Sequence, residues 1–287
     1  MGDLSVVGGW RKRASSLMTI TTSLPLRRKT TFFGSLRIQL RVIGALFMRD
    51  IIAKFGRHGL GFLWLFLEPM MFAVGVTIIW SYTSQTQGNI SVAAFILTGY
   101  SGLVLWRNLV NRLMAGVASN KGLLYHRNVK VIDLLYARSV MEFAACTISF
   151  ILLSFIFTAL GLMTLPDDPI KTLFGWVLYA WFAFAFGLVA AYMGSSNEIF
   201  DRIVHILMYL SMPLTGGFAM VTWLPPDVQN ILLMSPLVNA MELLREGYFG
   251  KSVKAEYSVA YILMVNLCLT LAGLILVRSI KRQLIDS

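Results

Sequence analysis

Long apolar runs separated by short polar stretches make up most of this chain. Six runs approach the ~20 residues needed to cross a bilayer, and several of them are apolar around the whole helix. Their approximate limits are residues 60–82, 93–110, 143–163, 173–193, 203–220 and 259–277. The pattern predicts an all-α integral membrane protein with six transmembrane helices.

The segment before the first run, residues 35–56, has a different pattern. Apolar residues recur at helical spacing, while basic residues occupy other positions; the basic residues are Arg37, Arg41, Arg49 and Lys54. This predicts an amphipathic helix in the cytoplasmic interface, unless the segment is an early extension of the first span. Its basic side chains suit the phosphate of an anionic lipid, and they suit plain anchoring equally well. Residues 1–34 form a basic cytoplasmic segment, and residues 35–287 form the membrane domain.

A stretch between the fifth and sixth runs is too broken to be a span. Pro225 and Pro226 suit the first turn of a helix, and Ser235-Pro236 ends that helix and starts another. Each arm is about half the length of a span, which predicts a re-entrant helical pair over about 225–247 at the extracytoplasmic exit. The candidate exit residues are Trp223, Asn239, Glu242, Arg245 and Tyr248. Asn239 and Glu242 are expected to be reachable from outside.

Composition and charge support a membrane protein and set its orientation. The chain is 57% hydrophobic and 14% charged, with a mean hydropathy of +0.70. Its net charge of +11 would suggest nucleic acid in a soluble protein, but in a membrane protein Lys and Arg collect on the cytoplasmic side. With both termini cytoplasmic, only four of the 25 Lys and Arg residues lie outside. We therefore expect both termini inside and no nucleic-acid partner.

The sequence shows no nucleotide, metal or catalytic site. The segment EGYFGKS resembles the end of a phosphate-binding loop, but Arg245 occupies the position of the required first glycine. His58, His126 and His205 are not at metal-ligand spacing. A membrane glycosyl- or acyl-transferase would need clustered carboxylates and histidines, so an enzyme is the weaker alternative. A channel or scaffold without ATP coupling also stays open.

Two cytoplasmic connections carry both polar and apolar residues. They cover residues 118–142 and 195–202, and each is either a capped, solvated loop or a short helix that contacts a cytoplasmic partner. Ionisable residues inside spans are costly and suggest function. The side chain of Arg107, near the inner end of the second span, either has a functional role or simply extends to the interface. For Glu68 in the first span, a buried hydrogen bond is favoured over a role in a proton relay.

Four motifs in order resemble those of ABC-2 type exporter permeases. The stretch RDIIAKFGRHGLGFLWLFLEPM (residues 49–70) resembles the family signature at the first span, and FILTGYSGLVLWRN (95–108) resembles its second span. MPLTGGF (212–218) and SPLVNAMELLREGYFG (235–250) resemble the capsular polysaccharide branch. The resemblance covers about residues 36–284.

The resemblance implies a homodimeric permease in a bacterial inner membrane that exports an anionic, lipid-linked capsular polysaccharide. O-antigen or teichoic-acid export is the alternative within this class. The chain itself would bind no cofactor, because two separate cytoplasmic ABC ATPase subunits would hold ATP and Mg²⁺. A periplasmic polysaccharide co-polymerase and an outer-membrane export protein are further implied partners.

The resemblance also assigns roles to particular residues. The ATPase contacts would be Lys121, Tyr125, Arg127, Lys130, Asp133, Asn197, Glu198 and Asp201. The translocation path would be lined by Glu68, Tyr100, Trp106, Arg107, Tyr209 and Met220.

Overall fold

The computed structural model describes residues 32–55, 67, 70–72, 74–76, 78–79, 90–120, 130–196 and 198–286, and every regular element in them is helical. The α-helices are α1 (Phe32–Phe55), α2 (Val92–Ala118), α3 (Val131–Ala159), α4 (Pro169–Ser196), α5 (Glu198–Leu210), α6 (Pro226–Leu233), α7 (Pro236–Phe249) and α8 (Val259–Asp286). The chain forms two compact units, residues 1–40 and 41–287. Of the first unit, only the start of α1 is described; all contacts below belong to the second.

Four helices are long and apolar enough to cross a membrane: Val92–Val117, Val131–Ala159, Pro169–Ser196 and Val259–Ile280. They coincide with the second, third, fourth and sixth predicted spans, and α1 coincides with the predicted interface helix. Most of the first predicted span lies outside the described residues, although those described between 67 and 79 are helical. Six spans stay a prediction.

The third span begins earlier than predicted, at Val131 instead of about residue 143. Charged residues in the first turns suggested a cytoplasmic connection, yet Asp133, Arg138 and Glu142 are buried within the protein. Ion pairs and hydrogen bonds there stabilise the charges, so they do not end the helix. The connection after α2 is correspondingly shorter than expected.

The fifth predicted span is not one continuous helix, which corrects the prediction for residues 203–220. Helix α5 ends at Leu210 and is followed by a 3-10 turn, Met212–Thr215. Pro213 has no backbone N–H to continue the helix, and Gly216 adopts a left-handed φ of 73°. The 13 residues of α5 extend only about 20 Å, less than the ~30 Å of a bilayer core.

The helical pair predicted between the last two spans is present as α6 and α7. Both begin at a proline, Pro226 and Pro236, where the missing N–H leaves no intrahelical bond unmade. Helix α7 ends before Gly250, which has a positive φ of 56°, and not at Gly247 as predicted. The depth of the pair in a bilayer stays a prediction.

Helix α4 is central and packs against α2, α7 and α8. Glycines allow its backbone to approach α7 very closely. A Cβ on Gly175 would lie 2.6 Å from the backbone N of Leu244, and a Cβ on Gly247 would lie 2.8 Å from Thr172 Oγ1. Between α4 and α8, Asn266 Nδ2 donates to the Leu178 carbonyl at 3.1 Å. The close approach at these glycines packs α7 directly against the membrane-length helix α4.

The close approach at Gly175 generates a stability prediction. Gly175→Ala should destabilise the protein by about 1–3 kcal/mol, because the new methyl group meets backbone that cannot rotate away. Gly44→Ala is the control, since a Cβ there has nothing within 4 Å and alanine favours helix. Thermal melting of the purified proteins in detergent measures both. Equal melting temperatures for Gly175→Ala and wild type would contradict the packing argument.

Candidate functional site

Three of the predicted path residues line one small cavity. Trp106 and Arg107 on α2 meet Tyr209 on α5 around a space of about 30 Å³, enough for roughly two water molecules. His205 and Asn111 complete its polar side. A cationic group, an aromatic phenol and an imidazole thus converge in the cavity between α2 and α5.

Trp106 lines this cavity, but it mainly connects α2 to neighbouring elements. Its side chain is buried, and its Nε1 donates to Ser211 Oγ at 3.3 Å. Its ring lies 5.7 Å from Phe182 and 5.0 Å from Phe186, both on α4. The hydrogen bond joins α2 to the residue that follows α5, so Trp106 fixes the point at which α5 ends.

The other predicted path residues lie elsewhere. Tyr100 stacks on Phe72 with ring centroids 4.0 Å apart and lines a separate cavity of about 200 Å³. Met220 is completely buried, so it cannot line an open path within this subunit. Glu68 lies outside the described residues. The path assignment therefore divides into two cavities and one core residue.

Arg245 on α7 is the most unusual charged residue of the described chain, because its side chain is fully buried. Its Nη1 donates to the carbonyl oxygens of Gly216 at 2.7 Å and Ala219 at 3.2 Å, and its Nη2 donates to Gly217 at 2.7 Å. The guanidinium also lies 3.8 Å from the centre of the Phe95 ring. A charge without water is tolerated only when it is surrounded in this way.

Those three carbonyls belong to the irregular segment that follows α5. Backbone groups that leave a helix lose their partners, and a buried unpaired carbonyl costs about as much as a lost hydrogen bond. Arg245 provides the missing donors in a planar arrangement that a lysine ammonium cannot reproduce. It therefore stabilises the break between α5 and α6.

Glu242, one turn before Arg245 on the same face of α7, complements this arrangement. Its Oε1 accepts a hydrogen bond from the Val221 N–H at 3.0 Å. Helix α7 thus presents a donor to the carbonyls of residues 216–219 and an acceptor to the next free N–H. Together the two side chains hydrogen-bond to three carbonyls and one N–H of the segment between α5 and α6.

Two glycines allow this geometry. Gly216 adopts a left-handed conformation that other residues reach only with strain. Gly99 on α2 faces the break, where a Cβ would collide with the Gly217 carbonyl oxygen and come within 2.7 Å of Arg245 Nη2. A side chain at Gly216 would be strained by the left-handed backbone, and a side chain at Gly99 would meet backbone and guanidinium.

The predicted exit residues are not open to solvent in the subunit. Asn239, Glu242, Arg245 and Tyr248 are all at most 2% exposed, which corrects the expectation that Asn239 and Glu242 are reachable from outside. Helix α7 packs against α4 and α8, so its polar residues bond to protein groups. Trp223 is half-buried and stacks on Phe95 at 4.8 Å.

The predicted ATPase contacts are only partly described. Lys121, Tyr125, Arg127 and Asn197 lie outside the described residues, as does the side chain of Glu198. Lys130 is exposed just before α3, and Asp201 is half-buried on α5. Asp133 is buried in the first turn of α3, where a carboxylate favours the helix N-terminus. Asp133 therefore faces its own subunit.

An ionic cluster ties the three helix ends near this connection together. Arg138 Nε lies 3.4 Å from Asp50 Oδ2, and Arg138 also donates to the Arg112 carbonyl and to Ser119 Oγ, both at 3.2 Å. Arg49 donates to Asp50 Oδ1 at 2.8 Å. The cluster joins α1, the end of α2 and the start of α3.

Two further contacts extend the cluster. Arg49 Nη2 donates to Asn120 Oδ1 at 3.0 Å, and Arg112 Nε donates to Glu142 Oε1 at 2.8 Å. The guanidinium of Arg49, predicted to contact lipid phosphate, is thus engaged by protein acceptors. Sequence reasoning missed the partners, although Arg138 and Glu142 at helical i,i+4 spacing inside an apolar run were a signal.

Curated proteins resemble this chain along nearly its whole length. It is 41% identical to the capsule polysaccharide export inner-membrane protein CtrC of Neisseria meningitidis serogroup B over 255 residues, which are 88% of this chain and 96% of that protein. It is 36% identical to BexB of Haemophilus influenzae, also named a capsule polysaccharide export inner-membrane protein, with the same shares covered. It is 27% identical over 251 residues to the polysialic acid transport protein KpsM of Escherichia coli, covering 87% of this chain and 97% of that protein. No protein-family model matches.

The buried guanidinium generates a sharp prediction. Arg245→Met keeps much of the side-chain length but leaves three carbonyls unpaired, so it should destabilise the protein by about 3 kcal/mol or more. Arg245→Lys should recover only part of this loss, because one ammonium cannot match the planar fork. Thermal melting and the amount of protein in the membrane measure the effect.

Arg278→Met is the matched control, because Arg278 is exposed near the end of α8. It should melt like wild type. If Arg245→Met melts at the wild-type temperature as well, the carbonyl bonds do not support the break.

Proposed function

The chain belongs to the family of capsule polysaccharide export inner-membrane proteins, and we propose that two copies of it form the membrane channel of an ABC exporter for anionic, lipid-linked capsular polysaccharide. The observation that carries the function is the similarity to named capsule export proteins over nearly the full length of both chains. ATP hydrolysis, with Mg²⁺, takes place on two separate cytoplasmic subunits. The absence of a phosphate-binding loop from the sequence supports this division of labour.

The proposed topology has six crossings and cytoplasmic termini. The four membrane-length helices provide the second, third, fourth and sixth crossings, and residues 60–82 provide the first. Because α5 alone is too short to cross the bilayer, the fifth crossing continues through the irregular segment whose carbonyls accept hydrogen bonds from Arg245. Helices α6 and α7 then form the re-entrant pair on the outer side, where irregular backbone is tolerated because protein surrounds it.

The ATPase subunits would push on two places. One is the connection between α2 and α3, which carries Lys121, Tyr125, Arg127 and Lys130; the other is the junction of α4 and α5, which carries Asn197, Glu198 and Asp201. Helix α5 begins at Glu198, directly after α4 ends at Ser196, so a push there would move α5 itself. The ionic cluster connects the first place to α1.

The polymer would enter at the cytoplasmic interface and pass along α2 and α5. The basic residues Arg37, Arg41 and Lys54 of α1 suit the phosphate of its lipid end, whereas Arg49 is engaged by Asp50 and Asn120. Arg107, Tyr209 and Tyr100 are the path residues that the two cavities support, with Glu68 added from the first span. A periplasmic co-polymerase and an outer-membrane export protein would receive the polymer.

Co-purification tests the ATP coupling. A tagged chain extracted from its own cells should bring an ABC ATPase subunit in a ratio near one to one. Lys130→Glu should lower both the recovered ATPase and the surface capsule severalfold, because it reverses an exposed charge at the proposed contact. Lys254→Glu reverses an exposed charge on the proposed outer side and should leave both unchanged. Recovery of the wild-type chain without any ATPase would favour an uncoupled channel.

Cysteine labelling tests the topology. In a background with Cys146→Ala and Cys268→Ala, the exposed positions Asn230 and Met234 are replaced by cysteine one at a time, because Asn239 and Glu242 are buried. Both should react with a membrane-impermeant thiol reagent in cells whose outer membrane is opened.

Arg278→Cys is the control for the opposite side of the membrane. It should react only after the inner membrane is opened as well. The reverse pattern would overturn the proposed orientation.

A further inference from the structure

An open pocket of about 610 Å³ lies between α6, the start of α7 and the segment that leads into α8. Its size falls within the ~300–1,000 Å³ of small-molecule sites. The residues that matter for its chemistry are Asn230, Asn239, Glu256, Tyr257, Ser258 and Tyr261. None of them lines the cavities around Trp106 and Tyr100.

The frame of this pocket is held by side-chain hydrogen bonds. Asn239 Nδ2 donates to the carbonyls of Leu233 at 2.7 Å and Ser235 at 2.9 Å, and its Oδ1 accepts from the Ser258 N–H at 2.9 Å. Tyr261 donates its hydroxyl proton to the Met234 carbonyl at 2.6 Å. These bonds tie α6, α7 and α8 together, so the pocket is formed before any ligand arrives.

Two side chains of the pocket are left for a ligand. Asn230 and Glu256 are exposed, and among the described residues neither side chain has a hydrogen-bond partner. One offers both donors and an acceptor, and the other offers only acceptors. The neighbouring Tyr257 hydroxyl is already engaged by Glu246 and Lys171, so Tyr257 offers the ligand its ring and not its hydroxyl.

This set of groups suits the hydroxyl-bearing part of a sugar and not an acidic group, which the Glu256 carboxylate would repel. A carboxylate and a carboxamide accept and donate hydrogen bonds to neighbouring hydroxyls, and two tyrosines provide flat apolar surface for the carbon face of a pyranose ring. A divalent cation would find only one carboxylate among the lining residues, and an acyl chain would leave the polar groups unpaired. A saccharide uses both the polar and the aromatic parts.

We infer that this pocket binds a segment of the polysaccharide where the polymer leaves the membrane. The inference rests on the proposed function, which puts α6 and α7 on the outer side of a polysaccharide exporter. The pocket would hold the emerging chain weakly through exposed groups, on a rim that Asn239 and Tyr261 keep rigid. It thereby adds a glycan-contact site distinct from the path along α2 and α5.

Direct binding tests the inference. The complex purified with its ATPase is placed in lipid nanodiscs and titrated with oligosaccharides made by partial hydrolysis of the capsule of the same cells. The double variant Asn230→Ala/Glu256→Gln should bind them at least about tenfold more weakly than wild type, because two hydrogen-bonding groups are lost. Both residues are exposed, so folding and ATPase co-purification should be unaffected.

Asp227→Asn is the matched control, because Asp227 is an exposed carboxylate on α6 outside the pocket. It should bind the oligosaccharides like wild type. Unchanged binding by the double variant would overturn the inference, whatever its effect on export. Reduced surface capsule with unchanged oligosaccharide binding would also overturn it, because the pocket would then contact a protein.

The proposed function fails by a separate result. If cells that lack this chain keep a normal surface capsule, the export role is wrong. The titration would still decide whether the pocket binds sugar.

Discussion

The conformation of the region between α5 and α8 depends on the hydrogen bonds that the buried guanidinium of Arg245 donates. A helix that stops inside a protein leaves carbonyls without partners, and water is not present to replace them. Arg245 donates to three of these carbonyls, while Glu242 accepts from the N–H of Val221 that follows. One helix therefore supplies both kinds of missing partner, and the irregular segment keeps a single conformation.

That arrangement requires α7 to lie very close to its neighbours. Gly99 on α2 and Gly175 on α4 remove the side chains that would keep α7 away. The helical pair is consequently joined to the membrane-length helices and does not form a detached loop. This close packing explains how an open pocket can persist beside α7, because Asn239 and Tyr261 extend the same hydrogen bonding to the start of α8.

The other end of the subunit uses charge in a different way. Asp50 and Arg138 are buried together, and Arg138 also pairs groups at the end of α2. Breaking a buried pair is costly, because the remaining charge has neither water nor a partner. The helices that flank the connection between α2 and α3 are thus held as a unit with α1, so a movement imposed on that connection by a partner would reach all three.

The sequence alone predicted much of this protein, because the physics involved is local. Apolar runs of sufficient length specify membrane helices, and Pro226 and Pro236 specify two helix starts. The motifs around Arg49 and in residues 235–250 also indicated the export family that the relatives support. The errors came where distant residues meet. Arg138 and Glu142 looked like the end of a cytoplasmic connection, but Asp50 and Arg112 pair them and the helix continues.

Residues 203–220 were apolar enough for a span, yet Pro213 and Gly216 end the helix because Arg245 offers the broken backbone other partners. Asn239 and Glu242 looked like exposed polar positions because hydropathy records the cost of burying a polar group but not the partner that removes that cost. The apolar runs and the two helix starts marked by proline were therefore determined by the sequence itself. Which charges are buried, and where a helix breaks, was decided only by the tertiary structure, since those partners are far away along the chain.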